Sequence, residues 1–163
     1  MDLEINTFLR DRYRVEKQLG KGGMGAVYLA LDTVLQTKVA VKINQNPRQE
    51  GREQFLQEAR LLAALRHPNL PRVIDYFVIE DSQYLVMDFV PGDDLGTIVK
   101  QDGKQDVEKV LYWAKQLGKA LNYLHTQEPP VIHRDIKPGN IKITPRGEVI
   151  LVDFGIAKSS DVT

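Results

Sequence analysis

The stretch VIHRDIKPGNIKITPRGEVILVDFG, residues 131–155, carries the densest chemistry in the chain. Pro129-Pro130 ends any helix before it, so His133-Arg134-Asp135-Ile136-Lys137-Pro138-Gly139-Asn140 reads as a loop. Transfer of a phosphoryl group asks for little covalent work. It needs a hydroxyl oriented, charge spread and a metal held. Asp135 is suited to accept the hydroxyl proton, Lys137 to neutralise the moving phosphate, and Asn140 to ligate Mg²⁺. Ile141 to Ile143, the turn Pro145-Arg146-Gly147 and Val149 to Val152 then predict a short hairpin. That hairpin returns Asp153, in Asp153-Phe154-Gly155, beside Asn140, where a carboxylate suits a hard, oxygen-seeking cation. The bland alternatives are a chance polar loop and an ordinary strand-end turn.

Working towards the N-terminus, Gly20-Lys21-Gly22-Gly23-Met24-Gly25 matches G-x-G-x-x-G. Alone it also fits a plain turn. Such glycines let backbone amides approach phosphate oxygens that a side chain would obstruct. A dinucleotide fold would need a helix directly after them and an acid further on, and a Walker loop would need Lys then Ser or Thr. Ala26-Val27 stand there instead and a strand follows, so a strand-turn-strand flap is what survives. Thr37 to Ile43 alternates, with Val39, Val41 and Ile43 on one face and Ala40 and Lys42 on the other. From Arg52 to Leu65 the period becomes helical, with Phe55, Ala59 and Leu62 on one stripe and Glu58 at its margin. A lysine on the flap's sheet can reach phosphates that the flap covers, and Glu58 is the carboxylate placed to steady it. A surface lysine on an edge strand and a solvated helical glutamate are the alternatives.

The rest of the chain is ordinary for a globular protein. Of 163 residues, 42% are apolar and 27% charged, and 22 Lys plus Arg balance 22 Asp plus Glu, which gives no field for nucleic acid or an anionic membrane. The absence of cysteine excludes disulfide and thiolate chemistry. No apolar run is long enough to span a bilayer and no secretory leader is legible, so a cytoplasmic location is expected. Strands are also expected at Tyr13 to Leu19, Val27 to Leu29, Arg72 to Ile79 and Tyr84 to Val90. Pro91-Gly92 is a candidate hinge, and Asp106 is suited to cap a long helix with the stripe Val110, Ala114, Leu117, Leu121, Leu124.

Taken together, these motifs resemble the eukaryotic-like protein kinases, in the family's order and across essentially the whole chain, with GKGGMGAVY similar to bacterial members. The resemblance implies an α+β fold. A small antiparallel-sheet lobe with one main helix would span residues 1–90, and the start of a helical lobe residues 91–163. It implies transfer of the ATP γ-phosphate to protein Ser or Thr, with ATP and Mg²⁺ (or Mn²⁺) as cofactors. Lys42 would hold the α- and β-phosphates with Glu58 as its anchor, beside Asp135 and Lys137 in catalysis and Asn140 and Asp153 at the metal. Leu19 and Gly20 to Gly25 would cover the nucleotide, with Val27 and Ala40 lining the adenine pocket. Met87 would be the gatekeeper, Asp88 to Val90 the hinge that meets adenine, and Asp94 a ribose contact. Lys137 in Asp-Ile-Lys-Pro is the serine/threonine form, and Arg134 implies control by a phosphate on the activation loop. Lys142 departs from the pattern by standing where an aliphatic residue is usual beneath adenine. Its stem could serve there with the ammonium turned outward.

The chain stops soon after Asp153-Phe154-Gly155, so a truncated domain is expected, with uncovered apolar surface that favours self-association. Two other readings stay open. One is a nucleotide-binding or regulatory fragment without turnover. The other is a small-molecule phosphotransferase, which resembles this chain less because such enzymes lack the Lys-Pro after the aspartate.

Overall fold

Alternation of Val39, Val41 and Ile43 with Ala40 and Lys42 decides how the larger sheet is built, because it gives a central strand one fully apolar face. The computed structural model describes residues 3–22, 25–46 and 48–153. Its first strands are β1 (Phe8–Leu9), β2 (Tyr13–Gly22), β3 (Gly25–Asp32) and β4 (Thr37–Asn44). Helix α1 (Gln49–Ala64) follows, then β5 (Val73–Ile79) and β6 (Ser82–Asp88). The six strands pair antiparallel in the order β1-β2-β3-β4-β6-β5. Tyr13, Val15, Tyr28, Ala30, Val39, Val41, Ile43, Phe77, Tyr84 and Val86 form the buried cluster on one face. Phe77 stacks on Tyr84 at 5.1 Å and on Tyr13 at 6.0 Å.

Helix α1 contains no β-branched residue, which suits a helix, and it buries Phe55, Glu58, Ala59 and Leu62. It packs on β5 and β6, with Phe55 against Tyr76. It begins three residues earlier than the Arg52 start expected from periodicity. The short strand β1 had no signature in the sequence.

The chain divides into two units, residues 1–64 with 72–89, and residues 65–71 with 90–163. The segment Leu65–Pro71, which the sequence assigned to the first half, is built into the second. The buried Asn69 amide donates to Gln116 Oε1 at 3.0 Å and to the Val149 carbonyl at 2.7 Å, while the Arg66 N–H donates to the Tyr123 hydroxyl.

In the second unit, α2 (Leu95–Asp102) and α3 (Val107–His125) precede a short 3₁₀ turn (Pro138–Asn140) and the hairpin β7 (Ile141–Ile143) and β8 (Val149–Leu151). Asp106 caps α3 as expected, its Oδ1 accepting from the N–H groups of Glu108 and Lys109. The expected apolar stripe is corrected. Val110 and Ala114 are exposed, and Trp113, Ala120 and Leu124 are the buried residues of α3. Helix α2 was not foreseen, because its short apolar pattern is weak. Among the described residues, no helix is long and apolar enough to cross a membrane.

Candidate functional site

Each unit carries one set of the residues that the sequence assigns to phosphate chemistry. In the first, strand register puts several of them on one face. Val27 lies opposite Lys42, which lies opposite Leu85, while Leu29, Ala40 and Met87 form the next row. Because side chains alternate, Val27, Ala40, Lys42 and Met87 all leave the sheet on the face away from the buried cluster. The Lys42 ammonium donates to Glu58 Oε1 at 2.7 Å. Glu58 retains only 4% of its side-chain exposure and Lys42 23%, so a helical carboxylate is held dry beside a cation that still meets solvent. Glu58 is thus fully buried rather than marginal to the stripe.

Strand β2 ends at Gly22 and β3 begins at Gly25, and these two residues pair across the ladder. A Cβ on Gly25, whose φ is +148°, would stand 1.8 Å from the Ile43 carbonyl oxygen, so the sheet itself requires glycine there. A Cβ on Gly20 would meet nothing within 4 Å, so packing does not explain that glycine. Leu19 is exposed, in an irregular stretch between Gln18 and Gly20, and Lys21 pairs with Ala26. Gly23, Met24, Phe154 and Gly155 lie outside the described residues. Asp88 is tied within its own unit. Its carboxylate takes the Arg72 Nε–H at 2.9 Å and its N–H donates to the Arg72 carbonyl.

The second set is woven from loop backbone. The Asn140 Nδ2 donates to the Asp135 carbonyl at 2.8 Å and to Asp135 Oδ2 at 2.9 Å. Lys137 Nζ stands 3.2 Å from the same Oδ2. These two donors, Lys137 first, hold the Asp135 carboxyl below the usual carboxylate range, so it is ionised. Pairing of Ile141 with Leu151 brings Val152 back beside Asn140, and the Val152 N–H donates to the Asn140 carbonyl. Asp153 follows directly.

His133 ties these strands of backbone together. It is buried, its Nδ1 accepts from the Asp135 N–H at 3.3 Å, and its Nε2 lies 3.1 Å from the Val152 carbonyl. An acceptor Nδ1 places the proton on Nε2, which therefore donates to Val152. Burial depresses its pKa and keeps the ring neutral. Arg134 and Asp153 both have positive φ, 64° and 52°, conformations rare outside glycine and frequent at sites where side chains must be aimed. Sequence reading had assigned His133 no role.

One expectation changes. The Lys142 ammonium does not turn outward; it donates to the Val90 carbonyl at 2.8 Å. Asp94, for which the resemblance implies a ribose contact, also caps α2, accepting from the Thr97 N–H at 2.9 Å and the Thr97 hydroxyl at 2.7 Å, bonds that lower its pKa.

The donor set suits Mg²⁺. With Nδ2 committed to Asp135, Oδ1 is the atom of Asn140 that can face a cation, and the Asp153 carboxylate is a second hard oxygen. Mg²⁺ ordinarily keeps waters and substrate phosphates as its other ligands, so it asks for few protein oxygens.

A family model described as the protein kinase domain matches residues 13–162. A probable serine/threonine-protein kinase of Clostridium acetobutylicum is 38% identical over 160 residues, covering 96% of this chain and 24% of its own. Serine/threonine-protein kinase PknA of Mycobacterium tuberculosis is 39% identical over 171 residues, covering 99% of this chain and 39% of its own. The solved structure titled "PpkA-294 apo form" superposes with a TM-score of 0.84 at 26% identity, over 96% of this chain and 62% of that one. This chain therefore spans well under half the length of these two curated relatives.

Proposed function

This chain belongs to the protein kinase domain family, and on that premise we propose that it serves transfer of the ATP γ-phosphoryl group to serine or threonine hydroxyls of a protein. The observation that carries the reading is the cluster of Asp135, Lys137 and Asn140, one ionised carboxylate between an ammonium and an amide. Asp135 accepts a hydrogen bond from the acceptor hydroxyl and takes its proton as the new P–O bond forms and the bond to ADP breaks. Its lowered pKa makes it a weak base, which suits a loose transition state in which the proton moves late. Lys137 offsets charge on the moving phosphoryl group. Lys42, steadied by Glu58, holds the non-transferred phosphates, and the backbone amides at Gly20 to Gly22 lie against them. Mg²⁺, when bound through Asn140 Oδ1 and Asp153, would neutralise phosphate charge. Val27, Ala40 and Met87 line the base, with Asp88 and Val90 presenting backbone to its edge.

The test is incubation with Mg-ATP and a mixed peptide library bearing Ser, Thr or Tyr, read by mass spectrometry. Phosphate on Ser and Thr above an Asp135→Asn control is expected. ATP binding by calorimetry with no transfer above that control would reduce the chain to a nucleotide-binding module and overturn the assignment.

A further inference from the structure

The ion pair between Lys42 and Glu58 links β4 to α1. Two residues along the same strand, Asn44 is buried and donates through Nδ2 to the Gly51 carbonyl of α1 at 3.1 Å. The same nitrogen donates to Gln83 Oε1 at 2.9 Å, and Asn44 and Gln83 are direct cross-strand partners. Gln83, also buried, spends both amide protons, one on the Arg52 carbonyl of α1 at 3.0 Å and one on the Tyr76 hydroxyl at 2.7 Å. Asn44 Oδ1 accepts from the Asn46 N–H, so every side-chain polar atom of Asn44 and Gln83 is engaged.

Gly51 and Glu58 lie two turns apart on one face of α1, about 10 Å along its axis. Lys42 and Asn44 lie on one face of β4, about 7 Å apart. Beside the packing of Phe55 on Tyr76, a second polar link two turns from the first adds resistance to a change of tilt. We propose that Asn44 and Gln83 are positioning residues that hold α1 by its first turn, so that Glu58 stays engaged with Lys42. The functional meaning of this pinning rests on the reading of Lys42 as the phosphate-holding lysine. The mechanical claim stands on the first unit alone.

Lys42 can be read directly, because an ammonium held by a carboxylate is a poor nucleophile. Acylation by a water-soluble succinimidyl ester, without nucleotide and quantified by peptide mass spectrometry, reports its release, with exposed Lys38 as internal reference. Gln83→Leu is expected to speed Lys42 acylation about fivefold and leave Lys38 unchanged. Glu58→Gln also frees the lysine, so Gln83→Leu added to it should produce no further increase. An unchanged Lys42 rate in Gln83→Leu, or effects that multiply in the double variant, would overturn the proposal. Should Gln83→Leu lose its cooperative melt, Tyr76→Phe removes only one hydroxyl and is expected to speed labelling about twofold. No change there would equally sink the idea. ATP protection of Lys42 in the parent is a separate arm. Its absence would remove the nucleotide reading while leaving the pinning result intact.

Discussion

The two sets of candidate site residues are built differently. In the first unit, functional side chains hang from a sheet whose opposite face is a dry aromatic and aliphatic cluster, so backbone ladders do the positioning. In the second, Asp135, Lys137, Asn140 and Asp153 sit on short loop segments aimed by side chain to backbone bonds, a buried neutral histidine and two residues of unusual φ. The sheet tolerates loss of one functional side chain because its register does not depend on it. The loop does not, because the same atoms serve structure and chemistry.

The sharpest test of that contrast is Asp135→Asn. Turnover should fall roughly 10³-fold, the scale of a lost proton acceptor, while the amide oxygen can still accept from Asn140. Lys42→Met should lower turnover about 10²-fold. It leaves Glu58 buried without its cation, so the urea midpoint should drop by the equivalent of roughly 1–3 kcal/mol, still with one cooperative transition. A fold loss larger for Lys42→Met than for Asp135→Asn would reverse the comparison.

Within the flap, two glycines separate structure from chemistry. Gly25→Ala should destabilise by about 1–3 kcal/mol, because its methyl group meets the Ile43 carbonyl. Gly20→Ala should keep stability within about 0.5 kcal/mol while weakening ATP binding in calorimetry. Equal melts for the two would mean that the sheet yields at Gly25.

Acid should loosen the loop half. His133 has a folded pKa below its ordinary 6.5, so the unfolded chain binds its proton first as pH falls. Stability is full above about pH 6.5 and declines as pH drops through the folded value. His67, depressed by burial, adds in the same direction. The urea midpoint should therefore be lower at about pH 5.5 than at about pH 7.5, and His133→Gln should shrink that difference without abolishing it. The smallest effect is expected for Lys142→Met. Losing the bond to the Val90 carbonyl should cost about 0.5–1.5 kcal/mol and alter ATP affinity less than about threefold.

Much of this was legible in one dimension. The flap, the face shared by Ala40 and Lys42, the helix carrying Glu58, the cap at Asp106 and the hairpin returning Asp153 toward Asn140 all follow from local spacing. A strand's period, a helix's period and a turn's residue preferences are properties of a few neighbouring positions. The misses share a cause. The apolar stripe on α3 has two acceptable faces, and which residues are buried depends on what packs there, so Trp113 replaced Val110 and Ala114. The Lys142 ammonium was expected to turn outward, whereas a backbone carbonyl satisfies it.

The sequence by itself determined the element types, the pairing of a sheet lysine with a helical glutamate and the grouping of base, ammonium and carboxamide in one loop, because each rests on short-range periodicity and chemistry. Only the tertiary structure decided that Asn69 bolts Leu65–Pro71 to α3 and β8, that Asn44 and Gln83 grip the first turn of α1, and that His133 bridges Asp135 to Val152. Those bonds join residues far apart in the chain. A buried polar group takes whichever partner packing brings within about 3 Å, and no local pattern encodes that meeting.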